Sequence, residues 1–459
     1  MSWGRMLAGC LLVGLLTLGG GVVYLHHDAA SGQPTLAEVP EIALPPSARA
    51  GLPDVWPQLL AAADALLDDA AEPGEVLLAV GAPERAAVDA VDPQSAAISM
   101  LRALDAPHVN VRVPPHARLA DNTDLRPLGR LCSLWLVNAW RSALEGDTTQ
   151  AVAEAVAVWR VGRLLLEGES DLDASLLGLS VERIALKEMR ELLEGPARSD
   201  AAALALAAEA LAEGSDTTMV RALASDWLLM ERELVAMPEP GCDDIYPDEG
   251  PESWQLICKI LPMIPGAFQR ELTQAWLRTS AQRSLARASL PRWEWTGAWT
   301  APERFHWGPH ESADGVAWKR LAGELLHNPL GRATVDMLSL GHLPFLVADK
   351  AHKMTAQRHV LQTWVALRRQ ALATEGPTDP GQLVPQWLAA VPIDPLDGQP
   401  VRVRDGVVYS VGVDAEQWQV RTSRSDGRRG GELIADPDLR IQLAAAPAEE
   451  PAPPADGRR

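Results

Sequence analysis

The run Met6–Leu25, MLAGCLLVGLLTLGGGVVYL, carries no charged side chain over 20 residues. At about 1.5 Å rise per residue it spans about 30 Å as a helix, the thickness of a bilayer's hydrocarbon core. Its length and its five glycines fit a buried core helix poorly. Arg5 precedes it and the next Lys or Arg is Arg49, an asymmetry that puts the N-terminus in the cytoplasm and the bulk of the chain outside. Trp3 and Tyr24 suit the two interfaces. His26, His27 and Asp28 follow the run where a cleaved signal peptide would need small residues. Residues 1–27 therefore read as an uncleaved transmembrane signal anchor, with a cleaved peptide as the alternative. Leu7-Ala8-Gly9-Cys10 has the form of a lipoprotein box, but only nine residues precede the cysteine, so the match reads as chance.

The 459-residue chain carries 61 acidic and 41 basic side chains, a net charge of −20. An acid excess of this size argues against nucleic acid, whose phosphates call for Lys and Arg, and against peripheral binding to an anionic bilayer. Residues 28–53, rich in Pro, Ala and Gly, read as a linker between bilayer and folded domain. In an oxidising compartment Cys242 and Cys258, sixteen positions apart across a Pro/Gly/Asp-rich stretch, are placed to close a loop by a disulfide worth about 3 kcal/mol. Cys132 is then unpaired and, in its apolar surroundings, buried. There is no C-x-x-C, so zinc knuckles and thioredoxin-like chemistry have no support.

Residues 54–342 read as one helical domain. Apolar positions recur at spacings of three and four in Leu128–Glu145 and Thr149–Glu167. Gly146-Asp147 separates the two, and Asp147 or Thr148 can cap the second. Further helices are predicted from Asp171 to Glu194, Asp200–Ala212, Thr217–Ala236, Gly266–Arg287 and Ala313–His327. Short breaks between amphipathic helices imply an antiparallel array. Glu75–Val80 and His108–Val113 read as short strands or extended linkers.

Residues 343–443 change character. A helix over Lys350–Ala373 leads into Val401 and Val403 alternating with Arg402 and Arg404, then Asp405-Gly406, then Val407–Val411. Two valine-rich runs around Asp-Gly are a hairpin signal. Leu439, Ile441 and Leu443 alternate with Arg440 and Gln442 as a further strand. The fold class is thus mainly α: an N-terminal transmembrane helix, an antiparallel helical array, and a small C-terminal α+β domain with an antiparallel sheet. Residues 444–459, rich in Pro, Ala and Glu, read as a disordered tail.

Pro392, Asp394-Pro395, Gly398 and Pro400, followed by Tyr409-Ser410, Gly412 and Asp414, resemble the globular part of type II secretion pseudopilins over about residues 355–443. The chain departs from that pattern in its Gly376-Pro377 corner, which lacks a tyrosine, in Ala415, and in having no Gly-Phe prepilin cleavage site. A processed pseudopilin subunit is therefore not expected. With its ALEGDTTQAVAEAVAVWRVGRLL run, the chain resembles bacterial membrane-anchored proteins that join a helical domain to a pseudopilin-like ending. With the anchor and the charge asymmetry around it, the location expected is the bacterial inner membrane, single pass, with the bulk in the periplasm. The resemblance implies architecture more than activity. Some pseudopilins bind calcium in the loop after the Tyr-Ser segment. Here Asp414, Glu416, Asp426 and Asp436 are the carboxylates of that kind, and oxygen donors suit calcium. The competing reading is a solvated loop paired with its own arginines.

No G-x-S-x-G, S-x-x-K, H-E-x-x-H or Walker A string occurs. His352 and His359 share a helix face two turns apart and, with Asp349, are the one histidine group with metal-like spacing. Trp293, Trp295, Trp299 and Trp307 crowd into one stretch. They read as a plug between helices and sheet, as a partner surface, or as a stacking site for glycan rings. The function expected is that of a non-catalytic, membrane-anchored scaffold or accessory that binds other envelope proteins, pseudopilins among them. No cofactor is expected beyond the calcium reading. The alternatives are a cell-wall or lipid hydrolase with a site invisible as a linear motif, and a calcium-binding module.

Overall fold

The computed structural model describes residues 35–68, 98–99, 102, 108–112, 125–214, 216, 219–236, 268–295, 343–373, 380–404, 407–410 and 440–442. It is mainly helical with a small antiparallel sheet. The helices among the described residues are α1 (Trp56–Asp68), α2 (Arg126–Leu144), α3 (Thr148–Glu167), α4 (Leu172–Glu194), α5 (Ala201–Glu213), α6 (Val220–Ala236), α7 (Arg270–Ala288) and α8 (Leu343–Ala373). Among the described residues no helix is long and apolar enough to cross a membrane. Residues 6–25 lie outside them, as do Cys242, Cys258 and the helix expected over Ala313–His327.

Capping chemistry sets the breaks in the array. Asp147 accepts from the Gln150 amide (2.9 Å) and Asp171 from the Ala174 amide (2.9 Å), each covering an N–H that the helix leaves unpaired. Asp200 caps α5 through the Ala202 and Ala203 amides at 2.9 and 3.1 Å. Its other oxygen takes the Thr148 and Thr149 hydroxyls at 2.5 and 2.9 Å, tying the start of α5 to the start of α3. Gly146 makes the turn into α3 at φ +93°, a conformation that L side chains avoid. Helix α8 begins at Leu343, earlier than the predicted Lys350. Pro344 falls in its first turn, where a missing N–H has no bond to lose.

The chain divides into two compact units. The first comprises Met1–Pro45, Leu223–Arg287 and Gly297–Leu346. Its described core is Ile42, Trp227, Leu234, Leu277 and Ala281. Glu231 is held there by Arg278 Nε and Gln274 Nε2, both at 2.6 Å.

The second unit comprises Pro46–Ala222, Ala288–Thr296 and Val347–Arg459. Helix α3 packs most extensively on α4 and then on α2 and α5, while α1 packs on α2. Trp135, Trp159, Leu164, Leu165 and Met189 are fully buried or nearly so. Among the described residues the segment 108–112 forms no named strand and carries two isolated bridges. It bridges Asp54 to Asn110 and Arg112 to Glu169 in parallel. The sheet runs β1 (Arg402–Arg404), β2 (Val407–Tyr409), β3 (Arg440–Gln442), antiparallel throughout. Val408 faces Val403 on one side and Ile441 on the other. The Pro392–Pro400 stretch folds as a tight loop. The Asp394 side chain accepts from the Leu396 amide at 2.9 Å, its carbonyl accepts from the Gly398 amide at 2.9 Å, and Gly398 sits at φ +73°.

Candidate functional site

The second unit buries an unusual set of charges where α3, α4 and α8 meet. Arg163 on α3 donates to Glu167 one turn on, through Nε at 3.0 Å and through Nη2. Its Nη1 lies 3.6 Å from Glu182 Oε1 on α4. The side chains of Arg163 and Glu182 are 3% and 0% exposed, so neither charge is shared with water. Glu182 Oε1 also accepts the Trp159 indole N–H at 3.2 Å, while Oε2 has no hydrogen-bond partner among the described residues. Burial pushes the Glu182 carboxyl above its usual range, against the pull of Arg163 and Arg358.

Arg358 on α8 binds the end of α5. Its Nη1 donates to the carbonyls of Leu211, at 3.3 Å, and Gly214, and its Nη2 donates to Asp216 at 2.8 Å. The last carbonyls of a helix lack intrahelical partners, and a guanidinium also suits the negative end of the helix dipole. His359, next along, has Nδ1 2.7 Å from the Ile393 carbonyl. A carbonyl only accepts, so that nitrogen carries the hydrogen. Nε2 lies 3.2 Å from both Arg358 Nη2 and Asp216 Oδ1. The His359 bond holds the Asp216 carboxyl below its usual range, with further help from the charge of Arg358.

Above this cluster opens a pocket of about 220 Å³ lined by Arg49, Trp159, Arg160, Arg163, Glu167, Glu213 and Gly214. Arg49 donates to Glu167 from Nε (3.1 Å) and Nη2 (2.8 Å), and from Nη1 to the Val109 carbonyl (3.1 Å). Burial pushes the Glu167 carboxyl up, but Arg163 and Arg49 outweigh it and the net shift is downward. Arg160 Nη2 reaches both oxygens of Glu213, at 3.1 and 2.9 Å. Gly214 closes one side of the pocket. A Cβ there would sit 2.9 Å from Arg358 Nη1 and 3.2 Å from the Trp159 ring. Arg358 thus fixes the pocket wall from behind.

The residues singled out in the sequence are distributed differently. Trp293 is exposed and its ring lies against Gly398, where a Cβ would meet it at 3.0 Å. Trp295 stands edge-on to His352, ring centroids 5.3 Å apart, beneath the Arg292 guanidinium at 4.7 Å. Trp299, Trp307, Asp414, Glu416, Asp426 and Asp436 lie outside the described residues. Asp349 takes Arg292 Nε and Lys353 Nζ, each at 3.0 Å. Burial lowers the proton affinity of His352, although Asp349 pulls the other way. Among the described residues no group of three or more His, Cys, Asp or Glu side chains is placed to hold a metal ion.

Sequence reasoning passed over Arg163, Glu182 and Arg358, although a signal existed. Steps of four carry the buried stripe Ala155, Trp159 into Arg163, and Leu179 leads through Glu182 to Leu186 at steps of three and four. A charge in the apolar stripe of a helix announces a buried partner. No family model, curated protein or solved structure matches this chain.

Proposed function

We propose that this chain is a membrane-anchored envelope protein whose helical unit binds other envelope proteins. The anchor is the apolar run 6–25, and the C-terminal α8 and sheet are its pseudopilin-like ending. The observation that supports binding is the arginine-lined pocket on a chain of net charge −20. A small cationic concavity on an acidic body confers electrostatic specificity more than bulk adhesion. A carboxylate facing the pocket also argues for binding over hydrolysis. Glu167 is held ionised by two guanidiniums, so it is not a ready proton donor of the kind that hydrolases use.

Glu209 is exposed one turn before Glu213 on α5, which puts the two on one face. A photo-crosslinking amino acid at position 209 of the full anchored chain, activated in intact cells, tests the reading. The expected result is a discrete adduct with an envelope protein that is lost in an Arg160→Glu background. An adduct confined to proteins of another compartment, or none at all, overturns it.

A further inference from the structure

We infer that the pocket between α3, α5 and Arg49 takes the C-terminal carboxylate of a partner chain. The inference rests on the protein-binding reading above and names what that site recognises.

Three features carry it. The lining holds three guanidiniums against two carboxylates, Arg49, Arg160 and Arg163 against Glu167 and Glu213. Among these lining groups one positive charge is left over, the charge of Glu182 behind Arg163 being opposed by burial, which matches a monoanion, while the two resident carboxylates oppose a doubly charged phosphate. Arg49 and Arg163 are fixed on Glu167, but Arg160 gives Glu213 only Nη2. Its Nη1 has no acceptor among the described residues and shares an edge with Nη2. A planar carboxylate is the acceptor that fits that guanidinium edge. Glu213 is about half exposed, so it can swing away as an incoming carboxylate takes its place.

The volume selects a chain end. Pockets for whole small-molecule ligands occupy roughly 300–1,000 Å³, and this one is about 220 Å³. A terminal residue enters end-on with backbone on one side only. An internal Asp or Glu brings backbone in from both directions, past the rim formed by Arg160 and Glu213.

The test is calorimetric titration of the full chain in detergent with three probes: N-acetyl-Ala-Ala as the free acid, the same peptide as its C-terminal amide, and N-acetyl-Ala-Glu amide. The free acid is expected to bind at least tenfold tighter than either amide. Arg160→Gln should abolish that preference. Glu213→Gln, which removes the resident competitor, should tighten free-acid binding severalfold, an effect that a purely structural Arg160–Glu213 pair would not produce. Equal binding of acid and amide, binding by the Glu probe alone, or an unchanged preference in Arg160→Gln each overturns the inference. Free-acid binding with no envelope adduct in cells removes the envelope reading and keeps the pocket assignment. An envelope adduct without free-acid binding does the reverse.

Discussion

Gly178 packs so close to Gly162 that a Cβ on Gly178 would lie 2.9 Å from the Gly162 carbonyl oxygen, and a Cβ on Gly162 would lie 2.7 Å from the Glu182 amide nitrogen. Backbone meets backbone here, so nothing flexible can give way. Gly162→Ala must push α3 and α4 apart and loosen the Arg163–Glu182 pair between them. A loss of about 1–3 kcal/mol is expected, read as a lower urea midpoint. Gly129→Ala is the control. Its Cβ would meet only the Leu177 Cδ1 methyl at 3.2 Å. Replacing a helical glycine gains about 0.5–1 kcal/mol, so that variant should be neutral or more stable.

Gly398 combines two constraints, φ +73° and the Trp293 ring 3.0 Å from where a Cβ would be. Gly146 has the first alone, at φ +93° with open space around it. Left-handed backbone costs an L side chain about 1–2 kcal/mol. Gly398→Ala should therefore cost more than Gly146→Ala in chemical denaturation. It should also shift the tryptophan emission of the folded protein, because Trp293 must move. Equal costs would mean that the ring yields freely.

Two carboxylates on neighbouring helices should give opposite pH signatures. The folded-state pKa of Glu167 lies below its unfolded value, chiefly through Arg163 and Arg49 working against burial. Its contribution is present above the unfolded pKa of about 4.3 and is lost as pH falls through the folded pKa. The deficit of Glu167→Gln relative to the parent should be largest at neutral pH and shrink on acidification. Burial raises the folded pKa of Glu182, so the unfolded chain ionises first as pH climbs. Glu182→Gln should gain on the parent as pH rises from about 4.3 toward the folded value. Urea midpoints from pH 3 to 8, in about half-unit steps, check both signs.

Cys132 is buried, and burial pushes its thiol up to about 12. Only the thiolate attacks disulfide reagents. With Cys10, Cys242 and Cys258 replaced by serine, the native chain should leave an aromatic disulfide reagent unreduced at pH 8 for hours. It should release one equivalent promptly in urea. Fast release without denaturant would show that α2 opens locally.

The helices were legible because their signals are local. Asp147, Asp171 and Asp200 do in the structure what short polar side chains before an apolar-periodic run do in general, and Gly146 takes the positive φ that its place between two helices called for. The sheet was legible from the Val403 and Val408 pattern around Asp405-Gly406 and from Ile441. The buried charge cluster was not, because no local rule connects Arg163, Glu182 and Arg358. Their pairing follows from α4 crossing α3 at two glycines and from α8 reaching the end of α5, both of them tertiary facts. The pocket follows from the same crossings, with Arg49 brought in from 118 residues before Glu167.

The reach of Arg358 has a consequence in time. Its acceptors Leu211 and Gly214 precede it by 147 and 144 residues. At about 5–20 residues per second of synthesis, α5 emerges roughly 7–30 s before the guanidinium that satisfies its last carbonyls. During that interval Arg163 and Glu182 are both already synthesised, while the Gly214 carbonyl lacks its Arg358 donor. The contacts of Arg358 with the end of α5 therefore cannot form until α8 is made. A nascent or truncated chain ending before α8 carries every residue that lines the pocket but lacks the guanidinium that holds the Gly214 carbonyl.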